Sequence, residues 1–171
     1  MVIIIIKEKD LFLQTNDRII NLQNVSNINI LKDSSRIIFN MNYNIEITYF
    51  DKVNRKEKNK FISDYVYWDS NSYDEMMKNL KVLQDMKYFT GAFIKQTAGN
   101  GFINKNEISS VKFADKKYRV IFNLSHPITF TDFDGKEKIT SEFVYVNCND
   151  YNQYNSYVDY VKTELNELGE K

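Results

Sequence analysis

One histidine and one cysteine are the residues of this chain best suited to acid–base or nucleophilic chemistry. His126 could act as a general base oriented by a carboxylate such as Asp132 or Asp134. Cys148 stands next to the start of a predicted helix, where a thiol can become acidic and reactive. Because the pattern supplies neither residue with a complete set of partners, we favour a turn role for His126, beside Pro127, and a small strand-end role for Cys148.

The sequence lacks the common metal and phosphate-loop motifs. One cysteine and one histidine do not supply the three or four ligands of a zinc site. The acidic run at 132–137 places its glycine too early for a calcium loop, and a hairpin turn explains it. The segment 98–101 lacks the Lys-Ser/Thr ending of a Walker motif. We therefore expect no metal and no cofactor, and we predict that the protein is not an enzyme.

Two groups of positive side chains could bind anionic partners. Arg36 and Arg119 recur at corresponding places and could hold anionic groups through their guanidinium forks. The interpretation we favour is that each fastens a strand end to a neighbouring carboxylate. The charged loop 52–60 could meet an acidic protein surface or a phosphate backbone, although such a loop is usually a solvated hairpin tip. Its positive residues are Lys52, Arg55, Lys56, Lys58 and Lys60.

An internal repeat organises the chain. Residues 11–51 align without a gap on residues 94–134 at a constant offset of 83, as between Arg36 and Arg119. After a shorter loop the alignment resumes at an offset of 78, as between Tyr67 and Tyr145. A repeat of this kind predicts two similarly folded units.

Each unit is predicted to be an antiparallel β-meander. Alternating apolar residues around Phe39 and Phe122 are typical of strands with one buried face. Asn-Gly at 100–101 and Asp-Gly at 134–135 suit tight hairpin turns because both dipeptides tolerate a positive φ.

A helix is predicted to close each unit. Ser72 with Glu75, and Asp150 with Gln153, follow the capping-box pattern or its aspartate variant. Trp68 is predicted to fill the core beneath the first helix. The units are predicted as residues 1–88 and residues 89–171. Since about 80 residues barely sustain one core, we expect the two units to pack together as one compact unit.

The expected fold class is α+β, a tandem duplication of a β-meander closed by a C-terminal α-helix. The strands of each unit are expected to form an antiparallel sheet or a small barrel. This order of elements is similar in topology to small pleckstrin-homology-like modules. The resemblance implies a scaffold used mostly for binding, although a fold does not fix a function.

Charge and composition limit the classes of partner and compartment. Lysine plus arginine equal aspartate plus glutamate at 23 each, without the basic surplus typical of nucleic-acid binders. The single cysteine and the absence of a secretory pattern predict a cytoplasmic protein. No run approaches the roughly 20 apolar residues of a membrane span, so we expect no membrane partner.

We therefore expect a non-enzymatic binding protein that acts by surface complementarity on a macromolecular partner, in the first place a protein. A phage or mobile-element inhibitor that occludes a bacterial defence complex is one example. The first alternative is a binder of a small, nucleotide-like ligand with equivalent sites at Arg36 and Arg119. The third choice is a small hydrolase that uses His126. Nucleic acid is a less favoured partner.

Overall fold

The computed structural model describes residues 11–97, 100–126, 130–131, 137–138 and 143–166. The described strands are β1 Phe12–Gln14, β2 Ile19–Asn21, β3 Val25–Leu31, β4 Arg36–Asp51, β5 Lys56–Asp69, β6 Phe93–Lys95, β7 Gly101–Asn104, β8 Ile108–Ala114, β9 Arg119–Leu124, β10 Phe130–Thr131, β11 Glu137–Lys138 and β12 Phe143–Asn147. The described α-helices are α1 Tyr73–Gln84, α2 Lys87–Ala92 and α3 Tyr151–Asn166.

This architecture is mixed α+β, with antiparallel sheets and a C-terminal helix, as predicted. The described sheets are open. Of the two arrangements expected for the strands, the antiparallel sheet is therefore present, and the described strands do not close into a barrel. The division predicted between residues 88 and 89 falls inside α2, just ahead of β6.

The main elements follow the same order in the two copies, although the second copy has the separate short strands β10 and β11 where the first has the outer parts of β4 and β5. β3 and β8 begin 83 residues apart, as do β4 and β9. α1 and α3 begin 78 residues apart. The strand register shifts between Val25 and Asn27 in the first copy and between Ile108 and Ser110 in the second, which are equivalent points. The offsets read from the sequence therefore hold for these elements.

The ungapped alignment needs one correction, at the first strand of each copy. Gln14 pairs with Ile19 in the hairpin of β1 and β2, whereas Lys95 pairs with Phe102 in the hairpin of β6 and β7. The turn is thus two residues longer in the second copy. β1 and β6 are consequently related by an offset of 81, as between Phe12 and Phe93.

The largest described sheet contains strands from both copies. Its order is β5-β4-β3-β7-β6, so the β6–β7 hairpin of the second copy extends the sheet of the first. β3 and β7 pair through Asn27 with Ile103, Ile28 with Phe102, and Asn29 with Gly101. The second copy has its own sheet in the order β12-β9-β8, and β1–β2 and β10–β11 form separate two-stranded sheets.

Each copy has an apolar core covered by its closing helix. Phe39 is fully buried in the first core, where its ring centroid lies 6.5 Å from that of Trp68. Trp68 shares this cluster with Met76, Leu80 and Leu83 of α1, as predicted. In the second core Phe122, which is equivalent to Phe39, is likewise fully buried. The Phe122 ring lies 6.5 Å from that of Tyr157 in α3.

Capping boxes begin α1 and α3. The Ser72 Oγ accepts a hydrogen bond from the Glu75 amide at 3.2 Å, and the Glu75 carboxylate accepts one from the Asn71 amide at 2.7 Å. Asp150 and Gln153 make the corresponding pair of bonds at α3. Each box satisfies amide groups that have no partner within the helix. The predicted helix starts are confirmed.

Candidate functional site

The strands β4 and β5 continue as a two-stranded ribbon past the end of β3. β3 pairs with β4 only as far as Met41, whereas β4 pairs with β5 as far as Asp51 and Lys56. At about 3.3 Å per residue, the ten residues 42–51 span roughly 33 Å. We call residues 42–64 the arm. β10 lies close to β5, and the residues at the far end of the arm are nevertheless exposed.

A network centred on Asp51 fixes the turn at the end of the arm. Its Oδ1 accepts hydrogen bonds from the amides of Val53, at 2.9 Å, and Asn54, at 3.2 Å. Its Oδ2 accepts one from the Asn54 side chain at 2.6 Å and pairs with the Lys58 ammonium. Arg55 closes the turn with a φ of 50°. The Lys58 ammonium and then the Asn54 side chain hold the pKa of the Asp51 carboxyl well below its usual range.

Three cations at this turn are exposed: Lys52, Arg55 and Lys56. No described residue forms an ion pair with them. Lys58, also predicted as a binding residue, is instead engaged with Asp51. The side chain of Lys60, the fifth predicted residue, lies outside what the structure describes. The charged loop is therefore an ordered hairpin end on which three of the five predicted cations face solvent.

Apolar side chains accompany these cations. Val53 and Phe50 are both strongly exposed. We call Phe50, Lys52, Val53, Arg55 and Lys56 together the arm tip. An exposed aromatic ring and an exposed valine beside three cations form a surface suited to macromolecular contact. The apolar side chains provide surface that a partner can bury, and the cations orient an acidic partner.

Arg36 occupies a site with its own intramolecular partners. Its Nε donates a hydrogen bond to the Asp69 carboxylate, and its guanidinium carbon lies 4.3 Å from the centre of the Tyr67 ring. Asp69 ends β5, directly opposite Arg36 at the start of β4. The arginine thus fastens the end of a strand, as in the interpretation we favoured from the sequence.

Arg119 repeats this arrangement in the second copy. Its Nε donates to the Asn147 Oδ1 at 2.6 Å, and its guanidinium carbon lies 4.4 Å from the centre of the Tyr145 ring. Here the acceptor is an amide oxygen in place of the expected carboxylate. Arg36 and Arg119 belong to two different sheets, so they stand at equivalent positions without forming one joint site.

The asparagines that recur on the same strands differ in their surroundings. Asn123 donates a hydrogen bond from Nδ2 to the Ser110 Oγ at 2.8 Å. Asn40 is fully buried, and its side chain finds no hydrogen-bond partner among the described residues. Because Asn40 is closed off from solvent, it is not available to a ligand at the surface.

His126 contacts a carboxylate that the sequence did not single out. The Nδ1 of His126 lies 2.7 Å from Oε2 of Glu107, a buried residue. The other carboxylate oxygen of Glu107, Oε1, accepts a hydrogen bond from the Asn42 side chain at 2.9 Å. The predicted partners, Asp132 and Asp134, lie outside the described residues, as does Pro127. Glu107 sits in the short 3-10 turn after β7, far from His126 in sequence, and no spacing rule connects the two. An imidazole oriented by a carboxylate is one component of an acid–base site.

Cys148 does not have the environment of a reactive thiol. It is buried, and burial followed by the charge of Asp150 raises its thiol pKa, which is the opposite of the acidification that a nucleophile needs. Its amide donates to the Tyr118 carbonyl at 2.8 Å, as that of Ser70 donates to Ser35. These contacts agree with the strand-end role predicted for Cys148.

Further features of the described residues bear on the classes of site. No three His, Cys, Asp or Glu side chains among them cluster closely enough to hold a metal ion. None of the described helices is both long and apolar enough to cross a membrane. Comparison with protein-family models, with curated proteins and with solved structures finds no match to this chain.

Proposed function

We propose that the protein is a non-enzymatic binding protein that docks its arm tip on an acidic surface of a macromolecular partner, in the first place a protein. The observation that carries the proposal is the arm tip itself. Three cations without a described ion-pair partner and two exposed apolar side chains lie on an ordered turn at the end of a long ribbon.

Charge gives the arm tip its direction. The chain as a whole has a formal net charge of zero, so long-range attraction to a polyanion is weak. The local excess of positive charge at Lys52, Arg55 and Lys56 raises the rate of encounter with an acidic patch and fixes its orientation. Because the Asp51 network orders the turn before binding, little conformational entropy is lost on docking.

The apolar side chains favour a protein partner over nucleic acid. Phosphate contacts need cations, whereas a protein groove can also bury Phe50 and Val53. Each such burial contributes about 1.5–3 kcal/mol. An inhibitor encoded by a phage or mobile element could occlude a bacterial defence complex in this manner, by filling a groove with the arm.

Affinity capture from a lysate of the native host tests the proposal, with a matched pair of triple variants. The tip variant carries Lys52→Ser, Arg55→Ser and Lys56→Ser. The control carries Lys78→Ser, Lys87→Ser and Lys116→Ser, which removes the same charge from exposed sites elsewhere.

A partner captured by the wild type and by the control, and lost with the tip variant, is the expected result. Dissociation constants measured with the purified partner should then rise at least about tenfold for the tip variant, or 1.4 kcal/mol. A partner that binds the tip variant as tightly as the wild type contradicts the proposal. Nuclease treatment of the lysate identifies a nucleic-acid partner, because capture would then disappear with the nucleic acid.

A second candidate function is hydrolysis, and the contact of His126 with Glu107 favours it. The pair orients one imidazole nitrogen inward, and the His126 side chain is exposed. Hydrolysis of any substrate found for the chain should be lost in His126→Ala, with the circular dichroism spectrum unchanged. Full activity in His126→Ala ends this candidate. The small-ligand alternative gains no such support, since Arg36 and Arg119 already have partners.

A further inference from the structure

The β6–β7 hairpin buries both of its faces. On one face, Ile94 and Ile103 belong to the core of the second copy. On the other face, Phe93 and Phe102 are each only 4% exposed and belong to the core of the first copy. Their ring centroids both lie 4.8 Å from that of Phe89 in α2. This hairpin therefore connects its own unit to the unit before it.

The β1–β2 hairpin is the equivalent element of the first copy, and only one of its faces is covered. Leu13 and Ile20, equivalent to Ile94 and Ile103, are buried in the first core. Phe12 and Ile19, equivalent to Phe93 and Phe102, are 48% and 67% exposed. Phe12 and Ile19 thus occupy the positions at which the second copy, through Phe93 and Phe102, packs into the core of the first copy.

In the second copy, the outer edge of β8 is left unpaired by the described strands. β3 pairs with β4 on one edge and with β7 on the other, and its Asn27 and Ile28 are buried. β8 is equivalent to β3 and pairs with β9, but no described strand pairs with its outer edge. On β8, Ser110 is exposed and Val111 only half-buried. β2 likewise pairs only with β1 among the described strands.

We infer that the β1–β2 hairpin of one chain pairs with β8 of a second copy of this chain, repeating between molecules the β3–β7 junction found within one. In this register Ser110 lies opposite Ile20, and Val111 lies opposite Ile19. The contact covers Phe12 and Ile19 and supplies the outer edge of β8 with a backbone partner. It uses neither the arm tip nor His126, so it stands apart from the proposed function.

The pairing between β2 of one chain and β8 of the other ends at Ile19, because the first copy has Arg18 at the position equivalent to Gly101. Gly101 has a φ of +156°, and a Cβ there would lie 1.9 Å from the Ile28 carbonyl oxygen. Arg18 does not adopt a positive φ. Arg18 forms an exposed ion pair with Asp17, with 2.6 Å between Nη2 and Oδ2, and this pair reduces repulsion from Lys112 at the next position of β8. The contact between chains is therefore shorter than the internal junction.

The contact joins different surfaces of the two chains. Such head-to-tail contacts give either a closed ring or an open series of molecules. Sedimentation of the full-length protein over a range of concentrations should show a mass that rises with concentration. A mass equal to one chain at every concentration overturns the inference.

One substitution on the exposed face of the hairpin tests the interface. Ile19→Lys should raise the dissociation constant of self-association at least about tenfold, because it places a charge in the apolar contact. Val82→Lys is the matched control, since Val82 is also exposed but lies on α1. Val82→Lys should associate as the wild type does, and equal association of both variants overturns the inference. Thermal melting checks that each variant is folded.

Cross-linking tests the register. Ile19→Cys and Val111→Cys are made in separate chains that also carry Cys148→Ser, which copies Ser70 of the first repeat. An equimolar mixture treated with a short bifunctional thiol reagent should give a cross-linked pair of chains. A mixture of Ile19→Cys with Thr48→Cys should not.

Two other occupants of the β8 edge are distinguishable. If cross-linking occurs only when both cysteines are in one chain, the hairpin closes on its own β8 and the inference is wrong. If the full-length chain is a monomer and a variant without residues 1–10 associates, residues 1–10 cover the edge. That result also overturns the inference.

Discussion

Ser35 and Tyr118 share a left-handed backbone conformation, with φ values of 51° and 48°, at the same point of the two repeats. The carbonyl oxygen of Ser35 accepts a hydrogen bond from the Ser70 amide at 3.1 Å, and that of Tyr118 accepts one from the Cys148 amide at 2.8 Å. Each residue therefore ties the beginning of one strand to the residue that follows the neighbouring strand. The left-handed conformation costs a non-glycine residue about 1–2 kcal/mol.

This relationship predicts opposite effects for two substitutions by glycine. Ser35→Gly should raise the free energy of unfolding by about 0.5–1 kcal/mol, because the relief of backbone strain exceeds the entropy that glycine adds to the unfolded chain. Tyr118→Gly should lower it, since the Tyr118 ring packs 6.2 Å from those of Tyr151 and Tyr154. Urea denaturation measures both. A less stable Ser35→Gly protein would show that the strain is absent.

A pair of glycines tests the junction between the copies. Gly101→Ala should lower the free energy of unfolding by about 2 kcal/mol or more, because its Cβ would collide with the Ile28 carbonyl oxygen and separate β7 from β3. Gly91→Ala is the control. It lies in α2, where an added Cβ would meet nothing within 4 Å beyond its own helix backbone and adjacent residues, and the variant should gain up to about 1 kcal/mol from helix propensity. Similar melting temperatures for the two variants would contradict the close approach.

The two cores should respond alike to truncation. Phe39→Ala and Phe122→Ala remove fully buried rings at equivalent positions, and each should cost about 3–5 kcal/mol. Phe50→Ala removes an exposed ring from the arm tip and should change stability by no more than about 0.5 kcal/mol. Urea denaturation of the three variants provides the comparison. A small loss for either core variant would mean that its ring is not part of a tightly packed core.

Two buried tyrosines of α3, Tyr154 and Tyr157, predict a loss of stability at alkaline pH. Burial, and then the hydrogen bond to Asp115, raises the pKa of Tyr154 to about 12, and burial also raises the pKa of Tyr157. Because the folded state favours the neutral phenols, their contribution is complete below the ordinary pKa of 10 and is lost as the pH rises towards 12. Melting temperature against pH measures this loss.

Single phenylalanine variants assign the alkaline effect. Tyr154→Phe should flatten the decline in melting temperature between pH 10 and about 12. Tyr73→Phe should leave the decline as it is, since Tyr73 is exposed. An unchanged profile for Tyr154→Phe would place the effect elsewhere.

The turn of the arm should titrate at acidic pH. The pKa of the Asp51 carboxyl lies below the ordinary 3.8 mainly because the carboxylate pairs with the Lys58 ammonium. The order that the carboxylate imposes is thus fully present above pH 3.8 and is lost as the pH falls through the depressed value. Carboxyl chemical shifts measured by NMR should show this midpoint, and Lys58→Gln should raise it. A midpoint at 3.8 in both proteins would contradict the network.

Local chemistry made part of the fold predictable. The boxes at Ser72 and Asp150 involve side chains only three residues from their partners, so their pattern is visible in the sequence. Alternation around Phe39 and Phe122 likewise depends on the strand period alone. The equivalent sites of Arg36 and Arg119 were visible as a recurrence, although their partners Asp69 and Asn147 were not.

Contacts between distant segments were not predictable in the same way. Glu107 meets His126 only because the turn after β7 and the end of β9 converge, and neither residue has a counterpart of its own type in the first copy. The two-residue insertion in the β6–β7 turn was also missed. An offset of 81 in place of 83 aligns Phe12 with Phe93 and Leu13 with Ile94. Because consecutive residues of a strand face opposite sides, the adjacent apolar residues Phe93 and Ile94 were the sequence signal that both faces of the β6–β7 hairpin can be buried.

The sequence by itself determined the unit, a meander of strands followed by a capped helix, and determined that the unit occurs twice. These properties follow from side chains a few residues apart, whose periodicity and capping act locally. Only the tertiary structure decided that β6 and β7 join the sheet of the first copy, and that Lys58 is engaged while Lys52, Arg55 and Lys56 are exposed. Backbone groups at a strand edge are nearly the same for every residue type, so their pairing depends on which edges the packed cores bring together.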